Sequence, residues 1–128
     1  MTYYFNKILK TPFDEAVRRV TEELKKDGFG ILTEIDVKET LKKKLNVDFR
    51  KYRILGACNP PLAHRALELE DKIGTMLPCN VIVQEISDGQ VEVAAIDPVA
   101  SMQAVRNPNL EGVARQVQQK LKNVIDRL

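Results

Sequence analysis

Residues 79–97 place the strongest local constraint on the fold, because they have the pattern of two strands joined by a tight turn. The segments 79–86 and 91–97 are rich in Val and Ile, and Asp88-Gly89 lies between them. Asp-Gly is favoured in two-residue type I′ turns, whose twist matches that of paired strands. The sequence therefore predicts an antiparallel hairpin in which Glu85 faces Glu92, Val83 faces Ala94 and Val81 faces Ile96.

Both faces of this predicted hairpin are largely apolar away from the turn. A sheet covered by one layer of helices leaves its second face in contact with water, where apolar side chains are unfavourable. We therefore expect the second face to be covered by a partner or by another layer of the same chain.

The remaining segments alternate between strand and helix patterns, in the order β-α-β-(short α)-β-α-β-β-α. Besides the hairpin, the predicted strands are 2–9, 29–35 and 52–58. Polar or proline-containing helix starts are predicted at Thr11-Pro12, Asp36, Asn59-Pro60 and Asn107-Pro108. Gly28 and Gly74 are predicted to end the first and third helices, and the last helix to run on to Leu128. This order is typical of an α+β domain with an antiparallel sheet.

Composition limits the class of protein further. The chain has 128 residues, of which 44% are apolar and 30% are charged, as expected for one globular domain over residues 1–128. It has neither a secretory N-terminal pattern nor an apolar stretch long enough to span a membrane. Two cysteines are too few for a disulfide scaffold, so we expect reduced thiols and a cytoplasmic location.

Two unusual segments flank the third predicted helix and contain both cysteines. They are Gly-Ala-Cys-Asn-Pro at 56–60 and Ile-Gly-Thr-Met-Leu-Pro-Cys at 73–79. Cys58 directly precedes the predicted helix start, where unpaired N–H groups can stabilise a thiolate. The alternative is that Cys58 fills core space as a small apolar side chain. Asn59 is a good N-cap whatever the protein does.

The candidate ligand-binding residues are Cys58, Asn59, Cys79, Asn80 and Asp97. In the predicted hairpin Asn80 faces Asp97 at the same end of the sheet as Cys79, although Asp97 is also a favourable turn residue before a proline. Cys58 and Cys79 are also the candidate catalytic residues. A reversible disulfide between them requires Cα atoms within about 7 Å.

Other chemistries have weaker support. His64, the only histidine, shares a helix face with Glu68, but a metal site would need further ligands that the spacing does not supply, so no metal is expected. Residues 38–53 contain seven basic and two acidic side chains, a net charge of +5. That patch could attract nucleic acid, but Lys42, Lys43 and Lys44 also suit the solvated last turn of a helix.

The chain resembles the bacterial and archaeal family called domain of unknown function 302, from about Thr11 to Pro98. The residues that carry the resemblance are the segments at 28–32, 56–60, 77–81 and 88–89, with Ala63, Ala66-Leu67 and Ile73-Gly74. The resemblance implies a two-layer α+β domain, similar to the TATA-binding-protein-like fold and commonly paired as a homodimer. Similarity of fold does not imply DNA binding, and the family has no established activity.

These observations predict a homodimeric domain that binds a small ligand or a protein partner near 58–60 and 77–79. The alternative is a thiol-dependent enzyme or redox sensor, with Cys58 as nucleophile and Cys79 as resolving partner. Nucleic-acid binding through 38–53 is the least favoured hypothesis.

Overall fold

The computed structural model describes residues 2–128 and contains one antiparallel sheet of order β1-β5-β4-β3-β2. The strands are β1 (Tyr4–Leu9), β2 (Gly30–Asp36), β3 (Tyr52–Cys58), β4 (Cys79–Ser87) and β5 (Gln90–Ile96). The helices are α1 (Phe13–Lys26), α2 (Val37–Leu45), α3 (Pro60–Leu69), α4 (Pro98–Ser101) and α5 (Glu111–Arg127). Short 3₁₀ turns occupy Ile73–Met76 and Pro108–Leu110. The predicted α+β class and antiparallel sheet are confirmed.

One face of the sheet is covered by α1 and α5, and the main core lies between these two layers. Alternate residues of a strand point to the same face, so the buried positions of β4 and β5 share one side. The fully buried residues of this core include Val20, Leu24, Leu55, Val81, Val83, Val91, Val93, Leu121 and Val124. Within residues 2–128, no helix layer covers the opposite side of the sheet, which is called the open face below.

The hairpin forms, but its predicted register is wrong by one residue. Val83 faces Val93 and Val81 faces Ala95, with a register shift between Glu85 and Ser87. A type I′ turn needs positive φ at both central residues, whereas only Gly89, with φ of 72°, has it. A change of register by one residue exchanges the two faces of one strand relative to the other. In the observed register, the four valines of the hairpin therefore lie together on the covered face: Val81, Val83, Val91 and Val93.

The predicted start of α1 is also wrong by one position. Pro12 has extended backbone angles, with ψ of 151°, so Phe13 is the first helical residue and Thr11 is not the N-cap. The end of α1 follows the prediction. Gly28 has φ of 84°, and the amides of Gly28 and Phe29 donate to the carbonyls of Lys25 and Leu24. This is the Schellman arrangement that ends many helices.

The third helix ends earlier than predicted, at Leu69 instead of near Gly74. Asn107 donates its side-chain amide to the carbonyl of Leu69 at 2.8 Å and to the carboxylate of Glu70 at 3.2 Å. This contact binds a carbonyl that a continuing helix would use. Asn107 also caps the 3₁₀ turn, through the amide of Asn109 at 3.1 Å, so the last α-helix begins only at Glu111.

Candidate functional site

A cavity of about 330 Å³ lies between α3, α5 and the end of the sheet where β3 stops and β4 starts. Aliphatic side chains of both helices line it, and we call it the apolar cavity. From α3 come Leu62, Ala63, Ala66 and Leu67; from α5 and the turn before it come Leu110, Val113, Ala114 and Val117. The volume lies at the small end of the range of about 300–1,000 Å³ typical of ligand sites.

The pattern of α3 explains why a cavity forms at this place. Leu62 and Ala66 are one helical turn apart and buried, and they pack in a second small core with Ile73, Leu110 and Val113. Alanines at 63 and 66 leave room that larger side chains would fill. The helices therefore enclose space next to their contact.

Both cysteines and Asn59 line the apolar cavity, together with Leu77 and Pro78. The two segments singled out in the sequence are therefore adjacent in space. Ala57 faces Cys79 across the sheet, which places Cys58 one residue beyond on the neighbouring strand. The two cysteines are not joined by a disulfide.

The thiol of Cys79 is a weaker acid than an ordinary cysteine thiol. Burial, and to a smaller extent the nearby Cys58, raises the pKa of Cys79 to about 11. A nucleophilic or resolving cysteine works through its thiolate, which this environment disfavours. The cavity therefore suits apolar contact with Cys79 better than covalent chemistry.

Asn59 is the N-cap of α3, as predicted. Its side-chain oxygen accepts from the amide of Leu62 at 3.4 Å, and its Nδ2 donates to the carbonyl of Asp27 at 3.1 Å. The amide thus uses both its donor and its acceptor inside the protein. Its contribution to the cavity wall is to fix the start of α3 against the turn after α1.

Asn80 and Asp97 do not line the apolar cavity. In the observed register, which pairs Val81 with Ala95, Asn80 no longer faces Asp97, and it is exposed on the open face beside Ile82 and Ile96. Asp97 caps α4, accepting from the amides of Val99 at 3.0 Å and Ala100 at 3.4 Å. It also accepts from Gln118 of α5 at 3.0 Å, so the carboxylate connects two helices. The predicted pairing of Asn80 with Asp97 is therefore wrong.

The open face carries an apolar row that crosses four strands. Ile35 faces Ile54, Ile54 faces Ile82, and Ile82 faces Ala94. Ile35 is exposed over 46% of its surface, while Ile54, Ile82 and Ala94 are half-buried. The prediction of an apolar second face holds for this row.

A polar row runs beside the apolar row. Glu92 accepts from Asn6 at 2.9 Å and from Gln84 at 2.7 Å, and Gln84 accepts from Arg50 at 2.9 Å. The Arg50 guanidinium also lies 4.3 Å from the ring centroid of Phe49. The charges on this face are thus held in fixed positions.

Most basic residues of 38–53 have partners within the chain. Lys42 pairs with Asp48 at 3.1 Å, Lys43 with Glu39 at 2.6 Å, and Arg53 with Glu34 at 2.8 Å. Lys38 donates to the carbonyl of Phe49 at 3.0 Å. These pairings reduce the charge available to a phosphate backbone, so they do not favour nucleic-acid binding.

His64 projects from α3, with 74% of its side chain exposed, and its Nε2 lies 3.6 Å from Glu68. Within residues 2–128, no three His, Cys, Asp or Glu side chains come together as a metal site would require. Over the same residues, no helix combines the length and apolarity needed to cross a membrane.

Sequence reasoning missed the far wall of the cavity. Met102, between α4 and the following 3₁₀ turn, and Leu110 line it. The apolar spacing of Leu110, Val113 and Val117 was visible, but it predicted packing against the sheet. Val117 does contact the main core, and the same stripe of α5 also faces α3.

The fold and the cavity define a small two-layer α+β protein with an antiparallel five-stranded sheet, helices on one face and an apolar cavity at one end. The chain belongs to the family described as domain of unknown function DUF302, whose model matches residues 5–128. It is similar to the crystal structure of an uncharacterized conserved DUF302 protein from Bacillus stearothermophilus. The TM-score is 0.90 and the sequence identity 29%, over 99% of this chain and 98% of the other. No curated protein matches the chain.

Proposed function

We propose that this chain is a cytoplasmic, homodimeric single-domain protein that binds a small apolar ligand in the apolar cavity. The observation that carries the proposal is the composition of the lining. Aliphatic side chains from α3 and α5 meet the segments at 58–59 and 77–79, and among the described residues no charged side chain lines the space. Ligand sites are commonly apolar clefts with a few polar groups at their edge.

A fluorescent apolar probe tests the site. We expect N-phenyl-1-naphthylamine to gain fluorescence on binding wild-type protein, and Ala63→Phe, which fills the cavity, to abolish that gain. Ala104→Phe is the matched control, because Ala104 is exposed and does not line the cavity. Circular dichroism melts establish that both variants fold. Equal probe binding by folded Ala63→Phe and wild-type protein would overturn the proposed site.

The dimer is proposed to form through the open face. The apolar row of Ile35, Ile54, Ile82 and Ala94 has no covering layer within residues 2–128, and water contact with such a row is unfavourable. A second copy placed about a two-fold axis would bring the same row against itself, as in most homodimers.

Light scattering tests the assembly. We expect twice the chain mass for wild-type protein at micromolar concentration, and the single chain mass for Ile82→Glu. Leu69→Glu is the control, because Leu69 is partly exposed on α3, away from the open face. A monomeric wild-type protein over the whole concentration range would exclude the dimer.

A thiol-dependent activity is the second candidate, because Cys58 and Cys79 line one cavity. The raised pKa of Cys79 makes it a poor partner in thiol–disulfide exchange at neutral pH. The ligand-binding proposal needs no thiolate, and for this reason we prefer it.

A further inference from the structure

The apolar cavity adjoins a second, more polar depression, which we call the polar groove. Met102, Leu110 and Ala114 line both spaces. Met102 is only partly buried and has an unbranched, flexible side chain. Met102 therefore stands between the two spaces, and a ligand that extends from the cavity into the groove would pass where this flexible side chain turns aside.

The polar side chains of the groove differ in whether they already have partners. Arg115 is bound to Glu111 at 2.7 Å, and the amide of Asn107 is occupied by Leu69, Glu70 and Asn109. Arg106 and Gln103 also line the groove. Within residues 2–128, neither of these two side chains makes a hydrogen bond or ion pair.

The apolar cavity and the polar groove together suit a ligand that has one apolar and one polar part. Among the described residues, the cavity has apolar walls without a charged side chain. The groove is lined by the paired Arg115 and Glu111, and by the guanidinium of Arg106 and the amide of Gln103, which have no partner. A charged group would be costly inside the cavity, where nothing could pair with it. In the groove, an anion would meet Arg106, whose planar fork matches a carboxylate.

Resting on the proposed function, we infer that the ligand is a single-chain aliphatic carboxylate. Its hydrocarbon chain occupies the apolar cavity, and its carboxylate binds Arg106 and Gln103 in the polar groove. The small volume, about 330 Å³, favours one chain over a two-chain lipid. A cationic amphiphile is disfavoured, because it would face the like charge of Arg106, while the carboxylate of Glu111, which also lines the groove, is already paired with Arg115.

Competition with the fluorescent probe tests this inference. Decanoate and decanol have the same chain and differ in the head group, so their displacement of N-phenyl-1-naphthylamine from wild-type protein is compared. We expect decanoate to bind about tenfold more tightly than decanol, which corresponds to one charge-assisted contact. Arg106→Gln should remove this preference and leave decanol binding unchanged.

Arg65→Gln is the matched control. Arg65 is an exposed arginine on α3 that lines neither space, so its loss should leave both affinities as in wild-type protein. Equal affinities for decanoate and decanol, or a decanoate preference that survives in Arg106→Gln, would overturn the inference and leave the cavity proposal standing. Failure of the probe itself to bind would instead remove the proposed function.

Discussion

The side-chain amide of Asn59 donates to the backbone carbonyl of Asp27 at 3.1 Å, which joins the start of α3 to the turn after α1. The chain after Asp27 also lies close to this amide. A Cβ atom at Gly28 would lie 3.0 Å from the same Nδ2 atom. One asparagine therefore caps a helix and links two segments that are distant in sequence.

Substitutions at Asn59 should separate these two roles. Asn59→Ser keeps a capping oxygen and loses the donor to Asp27, so we expect it to lower the free energy of unfolding by about 1 kcal/mol. Asn59→Asp should cost at least as much, because a carboxylate would face the Asp27 carbonyl. Urea melts at pH 7 measure both changes. If Asn59→Asp is as stable as wild-type protein, the link to Asp27 contributes nothing.

Gly56 should not tolerate a side chain. A Cβ atom there would collide with Oγ1 of Thr33 and would lie 2.7 Å from Cγ of Pro78. We therefore expect Gly56→Ala to destabilise the protein by roughly 2 kcal/mol, since overpacking a buried site costs about 1–3 kcal/mol.

Gly30→Ala is the control for this substitution. Gly30 lies on the neighbouring strand, and a Cβ atom there meets nothing within 4 Å. Urea denaturation of the two variants should differ by more than 1 kcal/mol. Equal midpoints would mean that the backbone around Gly56 moves apart at little cost.

Most of the fold could be predicted from local sequence signals. Asp36 and Asn59 cap α2 and α3 as expected, and Gly28 ends α1. These positions depend on hydrogen bonds and backbone angles within one turn, which the sequence specifies directly.

The errors arise where distant residues decide the outcome. The end of α3 depends on Asn107, which lies 38 positions beyond Leu69, and no local pattern indicates this contact. The hairpin register depends on a shift next to Ser87 that local turn preference did not predict. Asn80 and Asp97 were paired through that register, so the error carried over into the candidate site.

The Cys58 and Cys79 segments lie together because they begin and end the same stretch between neighbouring strands, a proximity that the sequence alone left open. Much of the rest of the cavity wall comes from α5, whose apolar stripe packs against both the main core and α3. Sequence periodicity identifies an apolar helix face, but it does not show which surface that face covers.

Replacing Gly89 and Gly112 by alanine should change the stability of the protein in opposite directions. Gly89 has φ of 72°, where a Cβ atom is unfavourable, so we expect Gly89→Ala to lower stability by about 1 kcal/mol. Gly112 lies in the first turn of α5 and has open space around its Cα. Gly112→Ala should therefore raise stability by up to about 1 kcal/mol, because alanine favours the helix. Thermal melts with opposite shifts would support both assignments, whereas shifts of the same sign would contradict one of them.

The stability of the folded protein should decrease at high pH because of the Cys79 thiol. Burial first, and the neighbouring Cys58 second, raises the pKa of its thiol from the ordinary 9.0 to about 11, so the folded protein holds this proton more tightly than the unfolded chain. The stability that this provides is complete below pH 9 and is lost as the pH rises from about 9 to about 11.

Cys79→Ala should remove that loss. We expect wild-type protein to lose roughly 2 kcal/mol more than Cys79→Ala when urea melts at pH 8 are compared with melts near pH 11. Cys58→Ala is the control and should keep most of the wild-type trend, because burial is the larger cause of the shift. The thiol of Cys79 should also react slowly with iodoacetamide at pH 7 in folded protein, since little thiolate is present. If the stability of wild-type and Cys79→Ala protein changes with pH in the same way and Cys79 is labelled rapidly, a partly buried, neutral thiol is contradicted and the thiol-dependent activity is favoured instead.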